Sequence, residues 1–214
     1  MTQIKSKNRV VDHAEVFTAE REVIAMLDLV KQETERIDSR FLEPACGTGN
    51  FLVEVLKRKL FVVETKYKKQ QQDFERYAVI AISSIYGIDL LEDNVLECRK
   101  RLLDIFNRAY RSLFKGKTRC ECIDSVSYIL SKNIVQGDAL TFQNNNKPII
   151  FPEWAAVNGS LIKRRDFDFC DMVLQSSLAD LPLFSDLGEN IYIPKPTKEY
   201  PLTHFLKLNQ NEIS

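Results

Sequence analysis

The sequence predicts an α/β domain built on a parallel-rich sheet with helices on both faces. Three observations carry that expectation. Short apolar segments near residues 40–42, 85–89 and 133–135 alternate with stretches whose apolar residues recur at helical spacing. The first segment runs into a glycine-containing turn, Glu43-Pro44-Ala45-Cys46-Gly47-Thr48-Gly49, that opens a helix. Acidic residues close all three segments: Glu43, Asp89 and, after Gly137, Asp138.

Composition bounds the answer. A length of 214 residues fits one globular domain, and 44% hydrophobic with 28% charged residues is the make-up of an ordinary folded chain. Thirty basic and thirty acidic residues cancel, which excludes a protein that holds nucleic acid by bulk charge alone but leaves room for a local basic patch. The five cysteines, at 46, 98, 120, 122 and 170, are odd in number, and their closest pair is spaced C-x-C. Neither a disulfide framework nor a metal site is expected from them, and reduced thiols in a cytoplasmic protein are. The first fifteen residues lack the apolar core of a signal peptide, and no stretch reaches the ~18–20 apolar residues of a membrane span.

In chain order, a first helix is expected to start at Thr18, a good N-cap, with Glu20 and Glu22 near the positive end of the helix dipole and Val23, Leu27 and Val30 on one face. A second helix follows the glycine turn with Phe51, Leu52, Val55 and Leu56 apolar. Residues 62–77 read as a polar insertion, leading into a helix over 74–84. The clearest helix carries Leu91, Val95, Cys98, Leu102, Ile105 and Ala109 on one stripe. Gln70–Gln72 and Asn144–Asn146 mark turns, and residues 148–151 read as a fourth strand. Beyond residue 151 the pattern weakens. The domain is expected to span 1–175, with 176–214 an irregular tail broken by prolines.

The glycine turn delivers a ligand to the carboxyl edge of the sheet. A phosphate-binding P-loop needs Lys and Ser/Thr after its second glycine, whereas Gly49 is followed by Asn50 and Phe51. A dinucleotide fingerprint needs a third glycine where Leu52 stands. A ligand without phosphate at this point, S-adenosylmethionine, with an amino-acid end and a cationic sulfonium, suits the acidic Glu43 better. Asp89 is placed to accept the ribose hydroxyls, and Asp138 a hydrogen bond from the adenine amine. Each aspartate alone also reads as a helix N-cap. Three acids on successive strand ends make that reading harder to sustain for all of them.

These residues resemble the S-adenosylmethionine-dependent N6-adenine DNA methyltransferases of restriction-modification systems. The resemblance lies in FLEPACGTGNFLVEVL (41–56), IYGIDLLEDNVLECRKRL (85–102), NIVQGDAL (133–140) and AEVFTAEREVIAML (14–27). It implies a Rossmann-like class I methyltransferase fold, here short in its C-terminal half. It also implies a cofactor site formed by Phe17, Thr18, Glu43, Pro44, Ala45, Gly47, Gly49, Asp89, Leu90, Asp138 and Ala139. Ala19 stands where the family usually has Pro, and Glu43 and Asp89 lie 46 residues apart, far more than the ~20 of a simple strand–helix–strand unit.

The larger departure concerns catalysis. Family members carry Asn-Pro-Pro-Tyr after the fourth strand, whose side-chain and backbone oxygens accept the adenine amine hydrogens while the aromatic ring stacks on the base. This sequence contains no Pro-Pro. The nearest substitute is Phe151-Pro152-Glu153-Trp154, with Glu153 as acceptor and Trp154 as stacking ring; the alternative is that Pro152 ends a strand and Trp154 packs in the core. The resemblance therefore implies either an adenine-N6 methyltransferase, acting alone or as a modification subunit, or a catalytically silent cofactor-binding module of a defence complex. DNA is the expected partner, directly or through a restriction or specificity subunit. Eight Lys/Arg between residues 99 and 119, against Asp104 alone, and Lys163-Arg164-Arg165 are the candidate phosphate contacts; a solvated helix face is the alternative.

Overall fold

The computed structural model describes residues 18–173 and 195–210. Three parallel strands, β1 (Phe41–Glu43), β2 (Ile85–Asp89) and β3 (Ile134–Gln136), lie in the order β1-β2-β3. Glu43 pairs with Gly87 and Asp89 with Gln136, so the acidic strand ends share the carboxyl edge. Helices α1 (Glu20–Asp28) and α2 (Lys31–Thr34) precede the sheet. Each crossover is a pair of helices: α3 (Asn50–Tyr67) and α4 (Gln71–Ser83) join β1 to β2, and α5 (Glu92–Leu113) and α6 (Cys120–Asn133) join β2 to β3.

Alternation along β2 separates the two faces. Ile85 joins the main core with Leu52, Val79, Leu102 and Val126 from α3–α6. A Cβ on Gly87 would lie 2.9 Å from the Leu52 side chain, so only glycine allows α3 this close to the strand. Tyr86 and Ile88 point the other way, under Ile149, Phe151 and Phe169. Among the described residues the long helices gather on one face, and a β-hairpin covers the other. A helical turn at 169–173 also packs on that second face, through Phe169 and Val173.

That hairpin, β6 (Ile150–Val157) and β7 (Leu161–Asp168), is antiparallel from Ile150↔Asp168 to Val157↔Leu161. The segment at 148–151 is thus no fourth parallel strand. Left-handed residues Asn158 and Gly159 make its turn. A small ribbon, β4 (Gln143–Asn144) and β5 (Lys147–Pro148), precedes it and turns on left-handed Asn145 and Asn146. Residues 198–199 and 203–204, read as irregular from sequence, form β8 (Lys198–Glu199) and β9 (Thr203–His204) against β7. Phe205 and Leu208 then enter the main core.

Other boundaries shift by a residue or a turn. Ala19, not Thr18, occupies the N-cap of α1, and Val30 falls beyond its end, half exposed. The polar reading of 62–77 gives way to helix: α3 continues to Tyr67, α4 begins at Gln71, and Val63 and Phe74 are fully buried. Phe106 and Tyr110 complete the buried stripe of α5 in place of Ile105 and Ala109. Among the described residues, no helix is long and apolar enough to cross a membrane, and no cluster of His, Cys, Asp and Glu is arranged to hold a metal.

Candidate functional site

At the carboxyl edge of the sheet, a cavity of about 490 Å³ opens between the β1–α3 turn, the β2–α5 junction and the residues after β3. The turn enters it because two glycines take left-handed backbone, Gly47 at φ 51° and Gly49 at φ 87°. Gly49 caps α3 without lining the cavity, and a Cβ on it would stand 2.5 Å from the Cys98 sulfur on α5. The Cys46 amide donates to the Ile88 carbonyl at 2.9 Å and ties the turn to β2. The Cys46 thiol is pushed up in pKa, first by its hydrogen bond with Cys98 and then by burial.

Asp89 organises the centre. Its carboxylate accepts the Gly47 amide (2.8 Å), the Leu91 amide (2.9 Å) and the Asn94 side-chain amide (3.1 Å). Asp89 is not the N-cap of α5, a position that Leu91 takes without a side-chain cap; its carboxylate instead ties the strand end to the glycine turn and to the start of α5, and faces the cavity. Asp138 also lines the cavity, accepting the Leu140 amide at 2.8 Å. Glu43 forms the third acidic wall. Burial raises its pKa, and a hydrogen bond from the Ala45 backbone works against that rise.

Thr18, Pro44, Ala45, Leu90 and Ala139 stand on the cavity with the three acids, as the sequence groups them. Phe17 lies outside the described residues. Glu153 and Trp154 do not line the cavity. Glu153 accepts from Arg40 (2.7 Å) and Arg165 (2.5 Å). Burial pushes that carboxyl up, but the two guanidiniums outweigh it and hold it below the usual carboxylate range. Trp154 donates from Nε1 to the Asn133 side-chain oxygen at 2.9 Å and meets the Tyr128 ring edge-on.

Several residues of the site escaped the sequence reading. Asn94 is buried against Asp89, and its only sequence signal is an amide side chain in the first turn after an acidic strand end. Arg101 reaches from α5 to the Thr48 carbonyl (2.6 Å) and the Asn50 side chain (2.9 Å), and Asn50 donates to the Thr18 carbonyl (3.1 Å). Arg101 thus braces the glycine turn from behind without lining the cavity, and Arg99 is bound to the Ile134 carbonyl at 2.8 Å. Neither is a free phosphate contact.

The charged groups on the cavity wall define a ligand class. Among the described residues, three carboxylates and no Lys, Arg or His line the cavity. Such a wall suits a cationic, hydroxyl-bearing ligand and disfavours a phosphate. A parallel sheet with this cavity at its carboxyl edge is the arrangement of α/β proteins that bind nucleoside-type ligands. The family model of the MmeI DNA-methyltransferase domain matches residues 15–149, more than half of the chain, and the chain belongs to that family. The match contains the glycine turn and the three acidic strand ends. No curated protein and no solved structure matches the chain.

Proposed function

We propose that the protein binds S-adenosylmethionine in this cavity and takes part in methyl transfer to the N6 amine of adenine in DNA, within a restriction-modification system. On this reading the fold is the Rossmann-like class I methyltransferase type. The observation that carries the proposal is the meeting of Glu43, Asp89 and Asp138 on one cavity without a basic residue among its described walls. Glu43 would face the amino-acid end, the remaining acceptor capacity of Asp89 the ribose, and Asp138 the adenine amine, with Leu90 and Ala139 against the ring. When bound, the cofactor supplies an electrophilic methyl group on a sulfonium. The protein's part is to orient that group and keep its positive charge opposite a carboxylate.

Acceptance of the target adenine needs a hydrogen-bond acceptor and a stacking ring beside the methyl group. Glu153 and Trp154 are engaged elsewhere. We therefore place the base-holding group outside Glu153 and Trp154, and read the described residues as the cofactor-binding part of a modification enzyme or complex. The same engagement favours a second reading, a catalytically silent module that binds the cofactor to regulate its complex. Transfer of a labelled methyl group to DNA, with and without candidate partner subunits, separates the two. Labelled N6-methyladenine in any arm supports the enzyme. Cofactor binding without label in every arm supports the silent module.

A further inference from the structure

The paired helices outrun the sheet. The 22 residues of α5 extend ~33 Å and the 18 of α3 ~27 Å, while the five of β2 cover ~17 Å. Phe74, Phe106, Tyr110 and Phe114 stack as an aromatic extension of the main core. The two inter-helix turns meet at the end of this extension. From the first turn of α4, the Gln71 side-chain amide donates to the Lys117 carbonyl (2.7 Å) and the Tyr110 hydroxyl (2.9 Å). The Tyr110 hydroxyl accepts the Arg119 amide and donates to the buried Glu75, which Arg119 faces at 3.3 Å. The turns therefore form one fixed surface.

That surface is basic. Lys66, Lys68 and Lys69 from one turn and Arg111, Lys115 and Lys117 from the other are all exposed. Among the described residues, none of the six makes an ion pair, whereas Arg99, Arg101 and Arg119 of the same stretch are engaged in the fold. The acids at this end are Glu64, Asp73, Glu121 and Asp124, besides Glu75. A chain whose charges cancel overall has thus gathered an excess of cations on its tip. Five of the six are lysines, whose hydrated point charges suit phosphate oxygens rather than the planar edges of bases. From Asn94 at the cavity to Arg111, α5 rises ~26 Å, the length of about eight base pairs at ~3.4 Å each.

We propose that this tip is a sequence-independent contact for the phosphate backbone of duplex DNA, less than one helical turn from the cavity. The choice of DNA as the polyanion rests on the methyltransferase reading above. The test is a salt titration of the full chain with a fluorescent duplex. Wild type is compared with a variant carrying Lys68→Gln, Lys69→Gln, Lys115→Gln and Lys117→Gln, and with the four matching Lys→Arg changes. Each lost phosphate contact lowers the slope of log affinity against log salt by about 0.9, so the glutamine variant should lose about 3 to 4 and bind at least about 10-fold more weakly at low salt. The arginine variant should keep both, and melting temperature should not change. A glutamine variant that keeps wild-type affinity and slope overturns the proposal. So does a wild type that ignores duplex at low salt, or one that prefers single-stranded RNA. Titration of the same samples with S-adenosylmethionine reads the cofactor site separately, so failure of the tip is distinguishable from failure of the proposed function.

Discussion

The Asp89 carboxylate accepts the Gly47 amide at 2.8 Å across 42 residues of sequence, so the group facing the cavity also fixes the turn that shapes it. With the Leu91 and Asn94 donors, three of its roughly four acceptor positions are filled by the protein. Stability and ligand binding are coupled through this one side chain. Asp89→Ala should raise the cofactor Kd by about 10- to 150-fold, corresponding to ~1.5–3 kcal/mol, and lower unfolding free energy by a similar amount. Calorimetry and urea unfolding of the same variant check both halves. A loss of stability alone would assign Asp89 to the fold only.

Glu43 gives the binding a pH dependence. Burial raises its pKa in the free protein, and a cationic ligand needs the ionised form. Affinity should therefore climb as pH rises through that raised pKa and level off above it. Folding runs the opposite way: across the same window the native state holds the proton more tightly than the unfolded chain, so Glu43's contribution to stability declines as pH rises. In Glu43→Gln the affinity should be weaker and flat with pH. A wild-type profile without slope in this range would contradict the assignment.

Gly49→Ala combines two penalties, a non-glycine residue at φ 87° and a Cβ at 2.5 Å from the Cys98 sulfur. Together they should cost about 2–4 kcal/mol of stability. Gly49→Ala with Cys98→Ala should recover part of that loss, because the steric component disappears. Thermal unfolding of the single and double variants measures it.

Lys59 is fully buried on α3, and its ammonium donates to the carbonyls of Arg36 and Ile37, each at 3.1 Å, and of Ser39. It pins the segment that leads into β1. Lys59→Met leaves those carbonyls without their donor and should cost about 3 kcal/mol or more. Burial pulls the Lys59 pKa down to about 7, below the ~10.4 of an unfolded lysine. The unfolded chain then binds the extra proton above pH ~7, so Lys59's contribution to stability rises with pH there and is lost as pH falls through 7. The stability gap between wild type and Lys59→Met should widen from pH ~7 to ~8, before the ordinary range of cysteine thiols is reached. Chemical denaturation at the two pH values reads the gap.

Glu153→Gln should leave cofactor affinity unchanged within about 2-fold while lowering stability by ~1 kcal/mol, since its carboxylate bridges Arg40 and Arg165 away from the cavity. A large loss of cofactor affinity would return Glu153 to the site.

What the sequence made legible follows from chemistry carried by short motifs. The three strands and the acids after them are readable because parallel strands are compact apolar runs, β1 and β2 end on a carboxylate, and Asp138 follows β3 by two residues. The hairpin was not. Its strands carry Arg164 and Asp166, which are buried as a bidentate pair (2.7 and 2.8 Å) with Tyr200 stacked on the guanidinium, so the alternation reads as surface charge. The left-handed pair Asn158-Gly159 was its one local signal. Helix α6 was missed because its buried face includes Ser125 and Asn133 beside Val126, Ile129 and Leu130, which blurs the apolar period. In the site, the carboxylates are visible, but the Asn94 amide that holds Asp89 and the Arg101 guanidinium that holds the glycine turn depend on contacts the sequence does not display.

Calorimetric titration of the purified chain with S-adenosylmethionine tests the central claim most directly. Saturable binding in the micromolar range is expected, with one site per chain and a Kd at least about 10-fold higher in Asp89→Ala. Absence of binding by a folded wild-type chain, or equal binding by Asp89→Ala, would contradict it.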